Sequence, residues 1–398
     1  MTVVIVLITT NRSASGDLSC SFTVNDLGQP QPLYLYNDDY LKPTGNTGII
    51  KLNTGDQVVI ACPGRMILHQ NLNAVVDLAT ATCVNNDLVS GAGWLHSDGA
   101  FTELTCSGLL NSEAVLTTDR CYNNNYVIRV GFTVAGVFYP LYWSCFDQKR
   151  LEVLYVWYEQ NPQNALPQTG VKRPDFSAGN FYDGVDVNKM YTQNQQKVTI
   201  ANILGSDMAS KYINTQFISR GHLAAATDFI YANGQRASYY FINVAPQWQS
   251  FNSGNWNLLE RNLRTRIGEA GYNTIIYTGT FGTTQLRDEN DKLVDIYLYT
   301  DANNNPQIPV PLYYYKVVYD ASRRLGTAFV GINNPYYSET EMKVLAFCTD
   351  RCRNNSAFNW LRWQPDRIEI GYSFCCTIDD FRKTVPHLPD FPVDDLLT

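Results

Sequence analysis

FINVAPQWQSFNSGNWNLLERNLRTRIGEAG, residues 241–271, decides the fold. Its first part completes ASYYFINVAPQ (237–247), an aromatic and β-branched run that reads as a strand. Its second part carries Trp256, Leu259, Leu263 and Ile267 at spacings of three or four, the period of an amphipathic helix, and Gly271 supplies the stop. Between them lies the polar stretch Phe251-Asn252-Ser253-Gly254-Asn255. Upstream, YINTQFI (212–218) reads as another strand, with Ser219-Arg220-Gly221-His222 at its end. The order strand, strand, loop, helix brings His222 and Asn252 onto elements that can pack face to face.

Local charge points to the ligand. Residues 211–266 hold six basic side chains (Lys211, Arg220, Arg236, Arg261, Arg264, Arg266) against Asp228 and Glu260. The whole chain carries a formal −7. A chain of that sign does not coat nucleic acid through general electrostatics, but a local basic patch is what a polyanion site needs. Cutting a phosphodiester calls for a base, a cation and donors that orient the phosphate. His222 suits the base. Arg220, two residues earlier on the same side of an extended strand, suits the phosphate. Asn252 offers an amide oxygen to a hard cation. Glu260 lies about two helical turns further on and can bond that cation's waters.

Each of these residues also has an ordinary reading. Asn252 precedes a helix and could cap it, unless Ser253 or Asn255 does so. Glu260 and Arg264 are spaced as a surface i,i+4 pair. His69, His96 and His387 stand in no constellation and read as structural, and Trp248 and Trp256 read as core.

The rest of the chain sets the context. With 398 residues, 45% hydrophobic and 17% charged, it is an ordinary globular sequence long enough for two or three domains. Residues 1–15 resemble an incomplete signal segment lacking a basic start. Residues 16–157 read as a cysteine-rich β module, 158–174 as a polar Pro-bearing linker, and 175–398 as an α+β domain with a mixed or antiparallel sheet. Cys20, Cys62, Cys83, Cys106, Cys121 and Cys145 stand apart from Cys348, Cys352, Cys375 and Cys376. Disulfides within each group, and secretion, follow. A zinc site in the second group is disfavoured, because Cys375 and Cys376 are adjacent. Asn354-Asn355-Ser356 is a sequon, making Asn354 a glycosylation candidate in a secreted chain. No run is apolar for long enough to span a bilayer, and no protein partner is implied.

SRGHLAAATDF followed by FINVAPQWQSFNSGNWNLLERNLR resembles the DNA/RNA non-specific endonucleases, a ββα-metal family with a [DS]RGH-type signature. The likeness extends through FVGINNP to the tail YSFCCTIDDFRKTVPHLPDFP, and it is greatest to secreted arthropod members. It implies one magnesium ion, with manganese as a substitute, and cleavage of DNA or RNA to 5′-phosphate products. It further implies His222 as general base, Asn252 as metal ligand, Arg220 on the phosphate and Asn243 orienting the site. Glu260 would act through the metal's waters, and Arg264 and Arg261 would contact substrate. Ser219 stands where many members have Asp, which leaves open a nucleic-acid-binding protein that has lost cutting. An upstream arginine that relatives turn toward the phosphate has no clear counterpart in the sequence.

Overall fold

The computed structural model describes residues 19–398, so the signal-like segment 1–15 lies outside it. Two compact units are present: one comprises residues up to Leu41 together with Ile49–Gly108, the other Lys42–Gly48 and Leu109–Thr398.

The first unit is built from short antiparallel strands. Asp39–Tyr40, Leu33–Tyr36, Gln57–Ala61, Leu78–Asn85, Leu88–Ser90 and Gly99–Ala100 form a six-stranded sheet in that order. Ser19–Thr23 pairs separately with Ile49–Asn53. Alternation places Val58 and Ile60 on the buried face of the central strand, and Phe22 stacks on Phe101 beside Tyr34. The disulfides Cys20–Cys83 and Cys62–Cys106 close this small core.

The second unit is α+β, and an eight-stranded antiparallel sheet is its frame. The strands run in the order Glu113–Arg120, Tyr126–Val134, Val137–Asp147, Glu152–Gln160, Thr274–Thr283, Pro311–Asp320, Leu325–Ile332, Ser373–Cys376. The first four begin before the Pro-bearing stretch 158–174, and the fourth, which runs into it as far as Gln160, pairs directly with Thr274–Thr283 beyond it. The division therefore falls at 108/109 and not at that stretch. Composition gave no sign of this, because a strand's neighbours in space leave no trace in its own sequence. Cys121–Cys145, Cys348–Cys376 and Cys352–Cys375 are the disulfides of this unit. Asp350, Cys352 and Cys375 cluster at metal-ligand distance, but both cysteines are disulfide-bonded and present no thiolate. Asn354 is exposed.

The sheet has two working faces. On one, Tyr155, Tyr315, Val317 and Val330 pack with Phe381, Val385 and Leu388, and His387 sits in this apolar nest with its Nε2 3.0 Å from the Tyr315 hydroxyl. Burial pushes His387 down to about 4. On the other face, Ser144, Val156, Thr278 and Lys316 stand in one cross-strand row. That row supports the 218–271 segment: the Ser144 hydroxyl donates to the Ile242 carbonyl at 2.6 Å, and Lys316 reaches the Leu223 carbonyl.

Two strand boundaries differ from the sequence reading. Tyr212 and Ile213 end the helix Ser206–Ile213, and the strand is Ile218–His222. Residues 237–243 form the end of the helix Ala232–Ala237 and a 3-10 turn at Phe241–Asn243, so the second strand is only Val244–Trp248. Every residue from Phe241 to Trp248 is buried, and an apolar run buried on all sides has no period to read. The two strands pair antiparallel, with His222 opposite Val244 and Ser219 opposite Gln247. The helix Asn257–Ala270 follows and ends at Gly271 in the left-handed conformation. Leu259, Leu263, Ile267 and Trp256 are buried, and so is Trp248.

Candidate active site

The approach to the helix is kinked at Gly254, whose backbone is non-helical (φ −94°, ψ −122°). Gln249–Phe251 runs into a π turn at Asn252–Trp256 and then into Asn257–Ala270. Neither Asn252 nor its neighbours make a side-chain cap hydrogen bond at the start of the long helix. Ser253 donates back to the Gln249 carbonyl, while Asn255 bonds the carbonyls of Gln364 and Gly371. A π turn widens the helix and projects a side chain off its regular face, an arrangement common at functional sites. Gly254 permits it: a Cβ there would lie 2.7 Å from both Cβ and carbonyl O of Ile370.

Ser219 fixes the orientation of Asn252. Its hydroxyl donates to the Gln247 carbonyl at 2.8 Å, so its oxygen is an acceptor on the other side. The Asn252 amide nitrogen donates to that oxygen at 3.0 Å. The Asn252 amide oxygen is thereby the atom left for an outside ligand. Beside this pair, both polar atoms of the buried Gln247 side chain lack a hydrogen-bond partner among the described residues. Gly221 allows that proximity, since a Cβ would meet the Gln247 Oε1 at 2.5 Å and the Tyr314 hydroxyl at 2.6 Å.

His222 is half-buried against the rings of Phe176 (5.1 Å) and Tyr239 (4.8 Å). Its Nε2 is buried and has no hydrogen-bond partner among the described residues. Burial, assisted by the positive charge of Arg173, holds the imidazole down at about 4, so it is neutral near pH 7. Exposed Arg173 thus stands at the site, a residue the sequence motifs did not single out. The turn after His222 is pinned by Asn243. This fully buried amide accepts from the Ala224 N–H at 2.8 Å and donates to the carbonyls of Ala224 and Ser238 at 2.9 Å.

The Arg220 guanidinium lies 5.6–5.7 Å from the ring centroids of Phe176, Tyr191 and Phe241. It donates to the Asn188 carbonyl at 3.1 Å, while its buried Nε is unpartnered among the described residues. Desolvation lowers its pKa, against the pull of Tyr191 and Asp175. No carboxylate among the described residues forms an ion pair with it, which leaves a cation held out for an anion.

Arg264 is placed differently from what the motif suggested. Instead of facing open space or pairing with Glu260, it is buried and its Nε and Nη2 donate to Asp228 Oδ1 at 3.1 and 2.9 Å. Asp228 also accepts from the Tyr158 hydroxyl (2.6 Å) and Gln160 (3.0 Å). Glu260 sits against this group, and burial raises it to about 7, with Lys316 and Arg264 opposing the rise and Asp228 adding to it. Sequence reasoning missed Asp228 and Lys316, since one lies in a turn and the other in an apolar strand. Arg261 is exposed on the outer side of the helix, and Arg266 bonds the Thr398 carbonyl.

The sequence that carries the site matches a known family. Residues 123–381 match the family described as DNA/RNA non-specific endonuclease. The chain belongs to the DNA/RNA non-specific endonuclease family. The matched span begins within the eight-stranded sheet and includes every residue of the site. Across most of its length the chain is similar to a salivary endonuclease of Lutzomyia longipalpis, 27% identical, covering 93% of this chain and 83% of that protein. It is similar also to the salivary protein Tsal2A of Glossina morsitans morsitans (26%, 86% and 84%) and to a salivary endonuclease of Culex quinquefasciatus (25%, 92% and 89%). As a DNA/RNA non-specific endonuclease the chain is a nuclease with nucleic acid as its substrate, in a family that depends on a divalent metal. The two strands Ile218–His222 and Val244–Trp248 and the following helix stand in the order strand, strand, helix.

Proposed function

We propose that this endonuclease is secreted, uses magnesium, and hydrolyses phosphodiester bonds of DNA and RNA to leave 5′-phosphates, with duplexes as preferred substrate. The observation that carries the reading is a neutral His222 with an unpartnered Nε2, on the same strand as an Arg220 that has no carboxylate partner. In this reading His222 takes the proton of the attacking water. Arg220, with Arg173, grips the phosphate, and a proton stays off His222 because burial and the charge of Arg173 disfavour it.

The donor set suits a hard cation: an amide oxygen at Asn252, the unpartnered polar atoms of Gln247 and, eight residues on from Asn252, the carboxylate of Glu260. Asn252 would hold the ion and Glu260 its waters. Once bound, the ion supplies neutralisation of the crowded phosphate and the leaving oxygen. Asn243 positions the His222 turn, and Arg264 acts through Asp228 without touching substrate. Ser219 supports the enzyme reading over a decayed binding protein, because its hydroxyl keeps the Asn252 amide in the ligating orientation. Five disulfides in the described chain and the salivary names of the relatives support an oxidising, extracellular setting.

The test is cleavage of plasmid DNA and double-stranded RNA by the wild type and His222→Ala, with magnesium and with EDTA. The reading requires cutting that both the substitution and EDTA abolish. Retardation of either substrate without cutting by the wild type would favour the binding protein instead.

A further inference from the structure

Phe176 touches both halves of the site, and no motif names it. It follows the exposed residues 172–175 and is itself half-buried. Its ring centroid lies 5.1 Å from that of the His222 imidazole and 5.6 Å from the Arg220 guanidinium. Tyr239 (4.8 Å) and Phe241 (5.5 Å) pack around the same ring. An aromatic ring in that place supplies two things: apolar cover for an imidazole, and a π face that attracts a cation. A carboxylate would hold the guanidinium by occupying its N–H groups, whereas a ring leaves them for a phosphate.

Backbone bonds hold the ring in place. The Ser177 N–H donates to the Tyr239 carbonyl and the Phe241 N–H to the Ser177 carbonyl, both at 2.9 Å, which fixes the peptide after Phe176 to the segment 239–241. Asn188 closes a loop: its side-chain amide donates to the Phe176 carbonyl at 3.3 Å, and its own carbonyl accepts from Arg220 at 3.1 Å. Phe176 and Arg220 are thus joined twice, ring to guanidinium and through Asn188. Among the described residues, Tyr191 and Phe241 face the guanidinium without a ring contact to His222, and Tyr239 faces His222 without a contact to the guanidinium. Phe176 alone among these rings faces both.

We propose that Phe176 is a positioning residue of the nuclease: its one ring sets the Arg220 guanidinium and the His222 imidazole relative to each other, so that the phosphate contact and the base address the same phosphodiester. The inference rests on the reading of His222 as the base and Arg220 as the phosphate contact. The two partners need different things from the ring. Arg220 needs its π face, while any apolar side chain of similar bulk covers His222. Leucine at this position therefore separates the two roles.

The test is cleavage of a duplex at saturating magnesium, with kcat and KM read separately and thermal unfolding measured on the same samples. Phe176→Leu is expected to raise KM about two- to fivefold, the worth of one exposed cation–π contact, with kcat within about twofold of the wild type. Phe176→Ala also uncovers the imidazole and is expected to lower kcat about ten- to a hundredfold. Phe176→Tyr keeps the ring and is expected to keep both constants near wild type. In an Arg220→Gln background, Phe176→Leu is expected to add nothing to KM, because the contact it removes is already gone. An unraised KM in a folded Phe176→Leu, or a KM increase that persists in the Arg220→Gln background, would show a ring that only packs and overturn the inference. Equal losses in Phe176→Tyr and Phe176→Ala overturn it too. The Leu and Tyr variants keep the test decisive where Phe176→Ala does not fold. Arg220→Gln with a wild-type KM, or His222→Ala with a wild-type kcat, removes the underlying reading and takes the inference with it. A raised KM in Arg220→Gln and an inactive His222→Ala, beside an unmoved KM in Phe176→Leu, overturn the inference alone.

Discussion

Ser219→Ala offers a direct test of how the site is organised, because one hydroxyl makes both bonds that matter. It donates to the Gln247 carbonyl at 2.8 Å and accepts from the Asn252 amide nitrogen at 3.0 Å. Alanine keeps the strand conformation and removes both. The Asn252 amide is then free to rotate, and only part of its population presents the oxygen. A neutral hydrogen bond of this kind is worth about 0.5–1.5 kcal/mol net. Transferred to the cation, that is about a two- to tenfold rise in the magnesium concentration giving half-maximal cleavage. The rate at saturating magnesium changes little, because the metal restores the orientation it selects. Titrating cleavage of a fluorescent duplex against magnesium reads both numbers. An unchanged midpoint would refute the orienting role. A lost rate at saturating metal would show that Ser219 acts in the chemistry and not on its ligand.

Other consequences concern stability, charge and pH. Asp228→Ala leaves Arg264 buried without its partner, since the paired side chains are 10% and 2% exposed, and strips acceptors from Tyr158 and Gln160. The expected loss is about 3–5 kcal/mol in chemical denaturation, and a loss below 1 kcal/mol would contradict a buried pair. Arg173→Gln removes an exposed cation that faces His222. DNA binding measured in EDTA is expected to weaken, and the slope of log affinity against log salt to fall by about 1. An unaltered slope would place Arg173 outside the phosphate track. His387 titrates at about 4 in the fold against an ordinary 6.5. The unfolded chain therefore takes up a proton in that window which the folded chain refuses, so stability falls as pH drops from 6.5 to 4. The contribution is roughly 3 kcal/mol. His387→Phe should flatten the dependence there, and an identical pH profile of unfolding would refute the assignment.

What the sequence made legible follows from how local each signal is. The site helix was readable from Trp256, Leu259, Leu263 and Ile267, because a one-sided apolar stripe records its own period. The grouping of cysteines was readable because six and four are separated by a long gap, and the pairs form within those groups. The motif residues His222, Asn243 and Asn252 fall on adjoining strand, turn and helix for the same reason. Their spacing is short, and the chain between them has little freedom. The π turn at Asn252 was not readable, since one extra residue in a helix changes no composition. Neither was the sheet that joins residues 113–160 to 274–376, because strand pairing is decided by partners far apart in the chain. The charges were the hardest to read. Arg264, four residues from Glu260, was expected on the substrate or in a surface pair, yet a distant aspartate claims it, and Lys316 hid inside an apolar strand. A buried cation is stable only where several elements converge, so its reason lies in the assembled structure. The motif therefore names the groups that touch substrate, while the groups that set their charge come from the scaffold beneath.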